Sequence, residues 1–122
     1  MTKKILVVDD DEDIVKIMKI RLANQGYEVI TAYDGQQAYD IIQKNTPDLI
    51  VADLVMPNLN GWILTQMIKN HDQYKTIPII LLSAIVAQDS TPKADDLGDY
   101  YMSKPFSIDK LIDKIHELLE FK

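Results

Sequence analysis

Five short runs rich in apolar residues punctuate the chain: Ile5 to Val8, Glu28 to Thr31, Leu49 to Ala52, Ile77 to Leu82, and Tyr100 to Met102. Between successive runs lies a segment with apolar residues at helical spacing. Continuous Val, Ile and Leu suit strands buried on both faces, as in a parallel sheet covered by helices. Strand and helix alternating through short connections imply right-handed crossovers, so the fold class is α/β with a parallel sheet.

The helical segments carry their own stripes. Ile14, Ile17, Met18 and Leu22 share one face of the first, and Ala38, Ile41 and Ile42 one face of the second. Ile63, Leu64, Met67 and Ile68 form a third, and Leu111, Ile112, Ile115, Leu118 and Leu119 a last. Gly26 reads as a helix stop, Asp34 and Ser107 as N-caps. A fourth helix is required between the last two strands, within "IVAQDSTPKADDLG" at 85–98. Pro92 fits only a first turn there, and Ala94 and Leu97 supply little apolar surface, so this helix is expected to be short, shifted or mobile.

At 122 residues, with no linker, repeat or low-complexity tract, the chain is expected to form one domain over 1–122. A net charge of −6 without a lysine cluster argues against a nucleic-acid surface. Cysteine is absent, which removes disulfides, thiolate metal sites and thiol nucleophiles. The apolar run after Lys3 and Lys4 is too short for a signal peptide or a membrane span, and the expected location is the cytoplasm.

In an open parallel sheet, ligands bind beyond the carboxyl ends of the strands, where the winding direction reverses. The first strand ends at Asp9 and Asp10, the third at Asp53, the fourth at Ser83, and Lys104 follows the fifth. Three carboxylates, a hydroxyl and an ammonium then converge. Clustered carboxylates repel, and a hard divalent cation with oxygen preference relieves that repulsion. Mg²⁺ fits best, because it uses only one or two carboxylates and leaves positions open for a phosphoryl oxygen. Asp53 would then serve as nucleophile, with the cation and Lys104 neutralising the transferring oxygens.

Taken in order, "ILVVDDDEDI", "GYEVITAYDG", "PDLIVADLVMP" followed by Gly61, "PIILLSA" and "YYMSKPF" resemble the receiver domain of bacterial two-component response regulators, of the single-domain chemotaxis type. The resemblance spans essentially the whole chain. It implies a flavodoxin-like, doubly wound sheet of five parallel strands in the order 2-1-3-4-5 with five helices. It also implies that Asp53 is the phosphoacceptor and that Asp10, Asp53 and the backbone carbonyl of Val55 bind Mg²⁺, with Asp9 acting through water. Lys104 and Ser83 would contact the phosphoryl group, and Ser83 and Tyr101 would form the switch. Of the acidic run Asp9 to Asp13, only the first two are then chemical, while Asp11, Glu12 and Asp13 sit in the first turn of a helix, where its dipole tolerates negative charge.

The implied function is a phosphorylation-dependent switch. A sensor histidine kinase or phosphotransfer protein supplies the phosphoryl group, and Ser83 moves inward. Tyr101 rotates into the vacated space, and the surface of the fourth helix, fifth strand and fifth helix changes for a downstream protein target or effector domain. A phosphorylation-dependent homodimer through that surface is a further option, as are a free-standing regulator and a piece of a longer one. The only reactions expected of the chain are its own phosphorylation and dephosphorylation. Val55 and Ile85 are apolar and cannot orient an attacking water, so self-dephosphorylation is expected to be slow, and Ala84 should leave the pocket open to the donor. Where the family usually has Gly-Ala-Asp before the fifth strand, this chain has "LGDYY".

Blander readings stand beside these. Ser83 alone is an ordinary loop hydroxyl, and Tyr101 a half-buried aromatic that stays put, with Tyr100 facing the other way. Trp62 reads as packing or surface, His71 and His116 as solvated, and Met18, Met56, Met67 and Met102 as core filler. The rival functions are a receiver-fold interaction module that works without phosphorylation, an aspartate-nucleophile phosphohydrolase, and a flavodoxin-like cofactor binder. The second would place its nucleophile after the first strand, and the third would need a phosphate-binding loop that is not seen.

Overall fold

The computed structural model describes residues 2–54, 61–83, 100–103 and 106–120. Among the described residues, the elements run β1 (Lys4–Val8), α1 (Glu12–Ala23), β2 (Glu28–Ala32), α2 (Gly35–Lys44), β3 (Leu49–Asp53), α3 (Gly61–Lys69), β4 (Ile79–Ser83), β5 (Tyr100–Ser103) and α4 (Ile108–Glu120). All strands pair in parallel, in the order β2-β1-β3-β4-β5. The expected helix within 85–98 lies outside the described residues.

Successive side chains of a strand point to opposite faces, so each strand feeds two cores. Leu6, Val8, Ile50, Ala52, Ile79 and Leu81 meet Ala38 and Ile42 of α2 and Leu64 and Ile68 of α3. Ile5, Val7, Leu49, Val51, Ile80 and Leu82 meet Val15, Met18 and Leu22 of α1 and Leu111, Ile112 and Ile115 of α4. Each fully buried Leu, Ile or Val contributes about 1.5–3 kcal/mol relative to exposure, which makes this double-sided burial the main source of stability. Tyr101 joins the first core and Tyr100 the second, so the two tyrosines do face opposite ways.

The ends of the elements follow local chemistry. Asp34 caps α2 by accepting the Gln37 amide, while the Gln37 side chain accepts the Tyr33 amide, each at 2.7 Å. Ser107 accepts the Lys110 amide at the start of α4, and Gly26 ends the turn after α1 at φ +93°.

Several expectations shift. In α1 the buried stripe is Val15, Met18 and Leu22, while Ile17 is about half exposed. Apolar residues fall on nearly every side of this helix, so its periodicity admitted more than one face. Ile63 likewise turns outward, and Leu64 and Ile68 carry the contact of α3. The fourth strand begins at Ile79 rather than Ile77, because Pro78 has no N–H for the ladder. Its carbonyl still accepts the Ile50 amide at 3.0 Å.

Neither histidine is simply solvated. His116 Nδ1 lies 2.6 Å from the Tyr27 hydroxyl, and Nε2 lies 3.3 Å from Gln25 Oε1, tying α4 to the turn after α1. His71 stacks on Tyr74 with ring centres 4.2 Å apart. On the β5 side of α4, the Lys114 ammonium sits 4.2 Å from the centre of the Tyr100 ring and pairs with Glu117. The Glu117 carboxylate, through its hydrogen bond, holds Lys114 above the ordinary lysine pKa, with burial opposing it.

Candidate functional site

Beyond the carboxyl ends of β1 and β3, Asp9, Asp10 and Asp53 each bring a carboxylate oxygen to within 4.8 Å of the other two. Asp9 is fully buried, Asp53 is 7% exposed, and Asp10 is open to solvent. Two unit charges at such a separation repel by about 3 kcal/mol at an effective dielectric of about 20. Water around Asp10 screens part of this.

Local structure sets each acid. The Asp9 amide extends the pairing of β1 with β2 by donating to the Ala32 carbonyl at 3.1 Å. The Asp9 side chain turns forward and accepts the Asp11 amide at 2.9 Å. Asp11 in turn accepts the amides of Asp13 and Ile14, at 3.0 and 3.3 Å. Asp11 is therefore the N-cap of α1 rather than a member of its first turn, which holds Glu12 and Asp13. The five-acid run thus divides into the clustered pair Asp9 and Asp10, one cap, and two residues at the favourable end of a helix dipole.

Asp53 ends β3 opposite Leu82 of β4. Just beyond it, the Leu54 amide donates to the Leu82 carbonyl at 2.7 Å, and the Leu54 carbonyl accepts the Gly61 amide at 2.9 Å. A β-carbon on Gly61 would stand 2.3 Å from the Asp53 carbonyl oxygen and 2.9 Å from the Leu54 α-carbon. The first turn of α3 therefore rests directly on the backbone that carries Asp53, an approach only glycine permits.

Ser83 is fully buried at the end of β4 and pairs with Ser103 of β5. Tyr101 is half-buried opposite Leu81. The structure thus places Asp9, Asp10 and Asp53 together and sets Ser83 at the end of the next strand. Val55, Lys104, Ala84 and Ile85 lie outside the described residues. Sequence reasoning missed the closeness of Gly61 to Asp53 and the burial of Thr65. The one signal for Thr65 was a hydroxyl residue four positions after Gly61, beside the apolar stripe.

Residues 5–116 match the family described as "Response regulator receiver domain". The chain belongs to that family. Among curated proteins, this receiver domain is 42% identical over 118 residues to the "Probable transcriptional regulator ycf27" of Cyanophora paradoxa, covering 96% of this chain and 48% of that protein. It is 42% identical over 108 residues to the "Alkaline phosphatase synthesis transcriptional regulatory protein PhoP" of Bacillus subtilis, covering 88% of this chain and 44% of that protein. The chain spans about half the length of the curated relatives it matches. Among solved structures, chemotaxis response regulator CheY4 of Vibrio cholerae superposes with a TM-score of 0.88 at 30% identity, covering 98% of this chain and 100% of that one. A Francisella response regulator receiver domain gives 0.88 at 34% identity, covering 98% of each chain.

The fold is accordingly the flavodoxin-like receiver fold, and its relatives are regulators. Receiver domains generally bind Mg²⁺, and the acid set here fits such an ion. All three donors are hard carboxylate oxygens, and their mutual repulsion is relieved by a divalent cation. Among the described residues, no helix is long and apolar enough to cross a membrane.

Proposed function

We propose that this receiver domain is a phosphorylation-dependent signalling switch with Asp53 as its phosphoacceptor. The observation that carries the reading is the convergence of Asp9, Asp10 and Asp53 at the carboxyl ends of neighbouring strands, with a carboxylate oxygen of each within 4.8 Å of the others. Clustered carboxylates repel one another, and a bound divalent cation relieves that repulsion while leaving one carboxylate able to act as nucleophile.

In this reading Asp10, Asp53 and the Val55 carbonyl hold Mg²⁺, with Asp9 acting through water. The ion, when bound, neutralises charge on the phosphoryl oxygens during transfer. A carboxylate oxygen of Asp53 forms a bond to phosphorus as the bond from phosphorus to the donor histidine nitrogen breaks. The electron pair of that bond leaves with the imidazole, which takes up a proton. The donor is a sensor histidine kinase or a phosphotransfer protein. Lys104 pairs with the phosphoryl group, and the Ser83 hydroxyl donates to it.

The added group carries a charge of roughly −1.5 to −2, drawing such donors inward. Tyr101 then shifts the balance between two arrangements of the surface that includes β5 and α4, which a downstream protein or effector domain reads. Val55 and Ile85 leave water without a polar guide, so the phosphorylated form is expected to be long-lived, and a lifetime of seconds would contradict this. The overall charge of −6 directs the output to proteins rather than to nucleic acid directly.

The test is incubation with acetyl phosphate and Mg²⁺, read by intact mass. A gain of about 80 Da, the mass of one phosphoryl group, that EDTA prevents is expected. No gain under any metal condition would favour an interaction module that works without phosphorylation. Sustained turnover of p-nitrophenyl phosphate would favour a phosphohydrolase.

A further inference from the structure

Among the described residues, four polar side chains are buried: Asp9, Asp53, Ser83 and Thr65. Asp9 and Asp53 belong to the acid cluster and Ser83 ends the neighbouring strand β4, whereas Thr65 has no part in the function proposed above. Thr65 is 2% exposed on the inner face of α3, between Leu64 and Ile68 in the helix. Threonine is a poor helix former, and a buried hydroxyl has to be satisfied, so neither propensity nor hydrophobicity favours it here.

Its hydroxyl donates to the Gly61 carbonyl at 2.7 Å. A back-bond of this kind, from residue i to the carbonyl of i−4, shares that carbonyl with the helical ladder and tilts the turn that contains it. The turn it acts on is the one that meets Asp53. The Gly61 amide holds the Leu54 carbonyl at 2.9 Å, and no room remains between the Gly61 α-carbon and the Asp53 carbonyl for even a methyl group. A change in the tilt of this turn therefore passes to the Asp53–Leu54 peptide without slack, since packed interiors transmit small displacements.

We infer that Thr65 is a positioning residue for Asp53, acting through the Gly61 carbonyl to fix the first turn of α3 against the backbone that carries the phosphoacceptor. This rests on the reading of Asp53 given above. A nucleophile held in an attack geometry loses rate steeply when displaced, even by a remote change.

The test compares Thr65→Val, which keeps the shape and removes the hydroxyl, with Thr65→Ser, which keeps the hydroxyl and removes a methyl. Phosphorylation by acetyl phosphate at saturating Mg²⁺ is followed by intact mass, alongside thermal unfolding and the Mg²⁺-induced change in emission of Trp62. That residue is the only tryptophan of the chain and adjoins Gly61. Thr65→Val is expected to fold and to react about three- to tenfold more slowly, with an altered Trp62 response, while Thr65→Ser keeps the unmodified rate. A wild-type rate and Trp62 response in Thr65→Val would overturn the inference. So would equal slowing of both variants in step with lost stability, which would mark Thr65 as packing alone. Failure of the unsubstituted protein to gain mass, or a gain that persists in Asp53→Ala, would remove the reading of Asp53 itself and this inference with it.

Discussion

A β-carbon placed on Gly61 would stand 2.3 Å from the carbonyl oxygen of Asp53, well inside any real contact. Two glycines of this chain are thus required for different physical reasons. Gly26 has φ +93° with open space around it, and its demand is conformational. Gly61 faces the Asp53–Leu54 backbone at a distance no β-carbon could share, and its demand is steric.

The corresponding substitutions are expected to separate stability from chemistry. Gly26→Ala should cost about 1 kcal/mol through left-handed strain and leave the phosphorylation rate untouched. Gly61→Ala should cost about 1–3 kcal/mol and also slow phosphorylation, because relief of the overlap has to move the Asp53 backbone. Denaturant titration and rates with acetyl phosphate check both, and similar rates in the two variants would argue against the contact.

Asp10 is the solvent-open member of the acid cluster. Asp10→Asn removes one of three like charges, so the metal-free protein should gain about 0.5–1 kcal/mol in stability. The same change should weaken Mg²⁺ binding about tenfold or more, since a charged oxygen donor is lost. Thermal unfolding with and without Mg²⁺ reads both effects. A variant that loses metal-free stability while keeping full Mg²⁺ affinity would contradict the assignment.

At the other side of the sheet, the pair of Lys114 with Glu117 gives a pH dependence of known sign. Glu117 raises the Lys114 pKa in the folded state above its ordinary value of 10.5. A raised pKa adds stability that is fully present below the unfolded value and is lost as pH climbs through the folded one. Glu117→Gln should therefore cost a few tenths of a kcal/mol near neutral pH, as expected of a largely solvated pair. The gap to the unsubstituted protein should close above pH 10.5, and urea titrations at neutral and alkaline pH would show it.

Much of this was legible in the sequence because buried parallel strands leave an unusually plain record. The runs ending at Val8, Ala52 and Leu82 gave the sheet, and the polar residues that follow them gave Asp9, Asp10, Asp53 and Ser83. What periodicity alone could not rank was the face of α1, where Ile14, Val15, Ile17, Met18 and Ile20 offer competing stripes. The start of β4 was misread because apolar character runs on through Ile77 and Pro78, whereas the ladder needs an N–H that Pro78 lacks. Contacts between residues far apart in the chain, such as His116 with Tyr27, leave no local trace at all.

The most direct measurement is reductive trapping of the phosphorylated protein. Borohydride converts an acyl phosphate, but not a free carboxylate, to an alcohol, so a phosphorylated aspartate is recovered as homoserine. After acetyl phosphate and Mg²⁺, the peptide spanning residue 53 should carry homoserine at that position and nowhere else, and EDTA should abolish it. Homoserine at position 9 or 10 in its place, or no reduction in a protein that has gained phosphoryl mass, would contradict the account.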